Sequence, residues 1–240
     1  MCAHKNKPGF KPGFDIIYDT DKMTYFYPEG VFGPEVEIRR LDDIRKSLLD
    51  YHCTGPDKVY AIAMDVGRTI DKEDLINRNL LYGTVIYAKG RLGQEPIRSQ
   101  GHVHAVSQSC NMSTPEVYEI WSGKAIIYMQ ENASDQPGRC YAVEGKPHDI
   151  IIVPPGWAHA TISADPNQPL VFGAWCVRDY GFDYENVRAH KGLAHYPKLN
   201  DNKIIWLEND QYEKSKLVIK RPRKYDEFNI DSEPIYSQYL

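Results

Sequence analysis

From Pro56 onward, apolar residues come in short runs separated by turn signals rather than at helical spacing. The runs at 59–64, 81–88, 97–104, 116–121, 125–130, 140–143, 149–153, 158–162 and 170–177 have the length and the β-branched and aromatic content of strands. Lys89-Gly90, Ser122-Gly123-Lys124, Gln136-Pro137-Gly138 and the stretch 165–169 punctuate them. So many short strands predict an all-β sandwich or barrel. Before Pro56 the pattern differs. Residues 1–14 carry two Pro-Gly steps and read as an extended arm, and strands are expected near 16–18 and 24–27. Leu41, Ile44 and Leu48 recur at helical intervals, which makes 41–49 the one sizeable helix expected in the first half. After about Gly181 the chain turns polar and tyrosine-rich, and Lys220-Arg221-Pro222-Arg223-Lys224 reads as a solvated face. With no repeat, low-complexity tract or linker, one domain over 1–240 is expected, with a barrel core at about 58–180, an extended N-terminal arm and a C-terminal tail.

Composition narrows the function classes. Hydrophobic residues make up 42% and charged residues 26%, as in ordinary globular proteins. A net charge of -4 argues against nucleic acid or an anionic membrane as the main partner. The five cysteines are scattered and form no Cys-x-x-Cys pair, so neither a disulfide framework nor a zinc ribbon is expected. No apolar leader and no run of membrane-spanning length occurs, and a reducing cytoplasm is the expected compartment.

The chemistry lies in three strings: Gly101-His102-Val103-His104, Pro115-Glu116-Val117-Tyr118 and Pro154-Pro155-Gly156-Trp157-Ala158-His159. In a strand, residues two apart share a face, so His102 and His104 can grip one ion together. Glu116 and His159 complete a set of three imidazoles and one carboxylate. A closed structural zinc site prefers four Cys or His ligands in a tetrahedron. Three His and one Glu can instead fill four corners of an octahedron and leave two positions for water or substrate. The imidazoles must be neutral to ligate, so the ion should be lost as pH falls through the His range. Glu119 is the competing carboxylate, and Tyr118 shares the Glu116 face by period two.

These strings resemble both motifs of the cupins, double-stranded β-helix (jelly-roll) barrels with a few peripheral helices. His102, His104, Glu116 and Gly123 occupy the first motif, and the spacing from Glu116 to Gly123 favours Glu116 over Glu119. Pro154, Gly156 and His159 occupy the second, with His148 where a Gly is usual and Ser163 where an Asn is usual. An insertion at 105–115 separates His104 from Glu116. More narrowly, the chain is similar to the archaeal-type, metal-dependent glucose-6-phosphate isomerases over about 37–193. Arg39-Arg40-Leu41-Asp42-Asp43, Thr84-Val85-Ile86-Tyr87, Glu116-Val117-Tyr118, the 153–159 string and Gly181-Phe182-Asp183-Tyr184 carry that resemblance. Phe182 stands where that family has His, and Cys176 falls where it has Tyr.

The resemblance implies an aldose–ketose isomerase of glucose 6-phosphate and fructose 6-phosphate, and a homodimer. It implies one divalent metal per chain, Fe²⁺ ahead of Mn²⁺, Ni²⁺ or Zn²⁺. Glu116 would also be the base that moves a proton between C2 and C1, with a metal-assisted hydride shift as the rival. Phosphate donors would be Tyr60, Thr84, Ser99 and the Gly101 backbone N–H, with Tyr118 and Tyr184 lining the sugar pocket. A dioxygenase or a different sugar isomerase on the same barrel, and a non-catalytic sugar-binding cupin, are the alternatives.

Overall fold

Two sheets take up most of the expected strands in a computed structural model that describes residues 11–201, 203–228 and 233–238. The first has six antiparallel strands in the order Ile150–Val153, Glu116–Ser122, Leu170–Val177, Leu80–Tyr87, Lys58–Met64 and Glu37–Arg40. The second runs Ala158–Ser163, Ala125–Gln130, Cys140–Gly145 and Leu217–Lys220, the last pairing in parallel. Period-two alternation divides each strand between two surroundings. Tyr60, Tyr87, Tyr118, Ile120 and Phe172 of the larger sheet meet Ile127, Met129 and Val143 of the smaller in one core. This is the face-to-face jelly roll of a cupin barrel, and the helices among the described residues are short.

The outer faces are covered as well. Tyr82, Trp121 and Trp175 on the outside of the larger sheet receive Phe14 and Tyr236. The Tyr236 ring lies 4.7 Å from Phe14, 5.3 Å from Tyr82 and 5.5 Å from Trp175. Part of the C-terminal tail is therefore structural: Leu217–Lys220 extends the smaller sheet, and His195–Asn200 pairs with Lys203–Glu208. Of the expected N-terminal arm, residues 1–10 lie outside the described residues.

Three local expectations need correction. The segment 41–49 is not a sizeable helix: Leu41–Ile44 is one α-helical turn, followed by a 3₁₀ turn at Arg45–Ser47. Arg98 donates to the Ser47 carbonyl and Glu95 accepts from the Leu49 N–H, so tertiary bonds take backbone groups that a longer helix would pair itself. The Lys72–Asn77 helix, not read from the sequence, is the longer one. The run 97–104 is a strand only at Val103–His104, with isolated bridges at Arg98 and His102. Gly101, at φ +89°, breaks it in a conformation that costs a residue with a side chain. His148, at the usual Gly position of the second motif, has φ +75° and shows why that position favours Gly.

Glu119 points to the outer face, opposite to Glu116, which removes it as the rival ligand. One carboxylate oxygen accepts from the Ile235 N–H at 3.1 Å and the other from Trp121 Nε1 at 3.3 Å. Burial pushes its carboxyl up to about 7 despite these bonds. The folded state then holds a proton that the unfolded chain, near 4.5, has already released. Stability therefore falls as pH rises from about 4.5 and levels off above about 7, a loss of roughly 3 kcal/mol. We expect the wild-type melting temperature to fall more between pH 5 and pH 8 than that of Glu119→Gln, which stays neutral. Parallel melting profiles by circular dichroism would show that Glu119 does not titrate in this window.

Candidate metal centre

The two cupin motifs meet through their backbones. His102 N–H donates to the His159 carbonyl at 3.0 Å, and His159 N–H returns a bond to His102 at 2.9 Å. This antiparallel bridge sets the two imidazoles side by side, with ring centroids 4.3 Å apart. His104, two residues on, stacks 5.4 Å from His102. Glu116 enters from the first position of its strand, across the pair Glu116–Val153, and is 12% exposed. One ligand atom from each of His102, His104, Glu116 and His159 lies within 4.8 Å of the others.

The donor atoms suit an ion. His104 Nδ1 lies 3.0 Å from the Thr114 carbonyl and His159 Nδ1 lies 3.0 Å from the Trp157 carbonyl. A carbonyl only accepts, so both rings carry their proton on Nδ1 when neutral and turn a bare Nε2 to the cluster. Glu116 Oε2 is 3.1 Å from His159 Nε2 and 3.3 Å from His104 Nε2. His102 Nε2 and His104 Nε2 are buried without a hydrogen-bond partner. Buried imidazole nitrogens are rarely left unmatched, and a cation would match them. The electrostatics agree. Burial and the two neighbouring imidazoles hold His102 well below the ordinary range. Burial opposes ionisation of Glu116, but the close approach of His104 and His159, and the charge that these rings carry when protonated, outweigh it and keep the carboxyl well below the usual value. The reverse balance raises His104, where Glu116 outweighs burial.

The inserted segment 105–115 is anchored to two other parts of the chain. Asp179 accepts from Ser107 Oγ at 2.8 Å, Ser109 N–H at 2.9 Å and Asn79 Nδ2 at 2.9 Å. These bonds, that from Asn79 first, hold the Asp179 carboxyl down at about 2. Ser113 Oγ accepts from the Gly156 N–H at 2.8 Å and ties the insertion to the second motif.

The family model described as glucose-6-phosphate isomerase (GPI) matches residues 46–215. The chain belongs to the glucose-6-phosphate isomerase family. It is 26% identical over 181 residues to the glucose-6-phosphate isomerase of Thermococcus litoralis, covering 73% of this chain and 86% of that one. To the enzyme of Pyrococcus furiosus it is 25% identical over 191 residues, covering 76% and 90%. A solved oxalate oxidase overlaps 52% of this chain and 54% of its own, with TM-score 0.39 and 12% identity.

In this member of the glucose-6-phosphate isomerase family, Tyr118 and Tyr184 stand next to the cluster, and Tyr60 and Tyr87 form a stacked pair in the same core as Tyr118. Tyr118 donates its hydroxyl to Glu116 Oε2 at 2.7 Å. Tyr60 stacks on Tyr87 at 4.9 Å, and Tyr184 lies 5.9 Å from the His102 ring. Ser99 Oγ accepts from the Thr161 N–H at 3.1 Å, and its own hydroxyl stands against Tyr87. A Cβ at Gly101 would meet Leu193 at 3.0 Å, so the backbone there is packed close. Thr84 does not join them. It pairs with Gly173 and Ala63 on the outer face, bonds Tyr25 Oη at 3.0 Å and the Phe172 carbonyl at 2.9 Å, and is fully buried. The phosphate role expected for Thr84 is therefore corrected: strand parity turns its hydroxyl away from the cluster. Val85 and Tyr87 face inward instead.

The two departures from the family pattern also have places. Phe182 packs 4.4 Å from His102 and 5.9 Å from His104, covering one side of the imidazoles. Cys176 is buried, and burial pushes its thiol well above the usual range. Sequence reasoning missed Tyr87, stacked on Tyr60, and Thr161, whose hydroxyl stands against Tyr87 and Tyr118. Tyr87 sits in the Thr-Val-Ile-Tyr string, and only the sheet register tells which face it takes.

Proposed function

We propose that this chain interconverts glucose 6-phosphate and fructose 6-phosphate by a metal-dependent mechanism centred on His102, His104, Glu116 and His159. The match of the glucose-6-phosphate isomerase family model to 46–215, which contains all four residues, carries this reading. When bound, a divalent cation supplies Lewis acidity to the sugar's carbonyl oxygen. Fe²⁺ is proposed ahead of Mn²⁺, Ni²⁺ or Zn²⁺, because mixed nitrogen and oxygen donors suit it.

The chain's own groups divide the remaining work. Glu116 takes the C2 proton and returns it to C1, and its low pKa keeps it ionised and ready to accept at neutral pH. Tyr118, bonded to Glu116 Oε2, fixes the orientation of that carboxylate and leaves Oε1 for the proton. Phe182 keeps water from one side of the cluster. Tyr60, Ser99, the Gly101 N–H and Tyr184 offer donors to the hydroxyls and phosphate of the sugar. We further propose a homodimer working in the cytoplasm. Among the described residues no helix is long and apolar enough to cross a membrane.

The test is an assay of the purified chain with a divalent metal and fructose 6-phosphate, coupled to detection of glucose 6-phosphate. Formation of glucose 6-phosphate that EDTA stops and added metal restores is expected. Metal-loaded protein that gives no glucose 6-phosphate would contradict the assignment.

A further inference from the structure

With Thr84 turned outward, the site lacks one of its expected phosphate donors, and the tyrosine-lined end holds a cation that the functional reading has not used. Arg39 lies on the edge strand Glu37–Arg40, directly opposite Tyr60 in the register. Cross-strand partners share a face, so Arg39 points inward beside Tyr60, whereas Ile38 joins the outer core. A register shift between Arg39 and Arg40 lets the inward and outward arginines diverge at this edge. Arg40 accordingly pairs with exposed Asp57.

The Arg39 guanidinium stands against the hydroxyls of Tyr60 and Tyr184. One of its terminal nitrogens contacts Glu37, whose side chain is 59% exposed and therefore screened by water. Its Nε is buried with no hydrogen-bond partner. A guanidinium presents its donors as a planar fork suited to a phosphate or carboxylate, and an unmatched buried donor is costly to leave. Tyr184 also reaches back to the metal cluster, its ring 5.9 Å from that of His102. Arg39 thus stands one tyrosine beyond the reacting end, where the far end of an open-chain hexose would arrive. Arg188, the other cation near Tyr184, is exposed and already donates Nε to Gln100 Oε1 at 2.9 Å.

We propose that Arg39 is the phosphate-recognition residue of the site, binding the 6-phosphate through its inward guanidinium with Tyr60 and Tyr184 at its sides. This rests on the isomerase reading for the reacting end of the sugar. It makes phosphorylated hexoses the preferred substrates and assigns that preference to a residue outside the 46–215 family match. Arg39 acts in binding and leaves the chemistry to the cluster.

The test compares metal-loaded wild type, Arg39→Met, Arg39→Lys and Arg188→Met by calorimetric titration with 6-phosphogluconate and with gluconate. The acid end of each presents the same oxygens to the cluster, so the affinity ratio isolates the phosphate. Wild type should prefer 6-phosphogluconate. Arg39→Met should lose roughly ten- to hundredfold of that preference with gluconate unchanged. Arg39→Lys should recover part of it, because charge remains and the fork is gone, and Arg188→Met should lose less. In turnover the Arg39→Met defect should fall on KM for fructose 6-phosphate rather than on kcat. A lowered melting temperature with the binding preference intact would mark Arg39 as merely structural and overturn the proposal, as would a wild type that binds both acids equally. A wild type that shows the Arg39-dependent preference yet makes no glucose 6-phosphate would uphold Arg39 and refute the isomerase reading.

Discussion

Glu116→Gln, reloaded to the metal content of the wild type, is expected to lose roughly 10²- to 10⁴-fold in kcat for fructose 6-phosphate. The amide keeps an oxygen that can face the cluster and approximates the shape of the side chain. It cannot accept a proton at neutral pH. It also weakens the charge-assisted bond from Tyr118 that fixes the carboxylate. Measuring kcat and bound metal on the same sample separates the base from the ligand. Near-normal turnover in a metal-loaded Glu116→Gln protein would exclude Glu116 as the base and support hydride transfer. Incorporation of solvent deuterium into the wild-type product would support the proton route.

The second large effect concerns the imidazoles. A His102→Ala/His159→Ala variant is expected to retain no metal after dialysis and to show no isomerase activity. These two side chains belong to segments joined by reciprocal backbone bonds, which do not depend on the rings. The fold should therefore survive while the cluster loses two of its three nitrogen ligands. Adding metal at a hundredfold excess over its dissociation constant should stabilise the wild type by about 2.7 kcal/mol and leave the variant's melting temperature unmoved. Elemental analysis with thermal melts gives both readings. Full metal retention in the variant would reject the site.

Much of this arrangement is legible in the sequence because the motifs fix local spacing. His102 and His104 share a face by period two, and the distance from Glu116 to the Gly123 turn distinguishes Glu116 from Glu119. Thr84 shows where the reading stops. Its strand was expected, but a shift of one residue exchanges the faces of every side chain, and register is set by partner strands far along the chain. Here Gly173 and Ala63 place Thr84 outside, and Tyr87 takes an inward position. Arg39 is a similar case. It belongs to a string quoted for family likeness, but its relation to Tyr60 comes from an edge-strand pairing that local periodicity does not encode. The 41–49 helix fails for another reason: the buried ion pair Glu95–Arg98, 2.7 Å apart, captures backbone groups at Ser47 and Leu49. The anchoring of the insertion by Asp179 also joins residues distant in sequence.

The most direct test of the account is a metal titration of the chelator-stripped chain, carried out anaerobically with Fe²⁺ while bound metal and glucose 6-phosphate formation are followed together. The predicted result is no activity in the stripped protein, a linear rise to one equivalent per chain and a plateau beyond it. Full activity in the metal-free protein would contradict it.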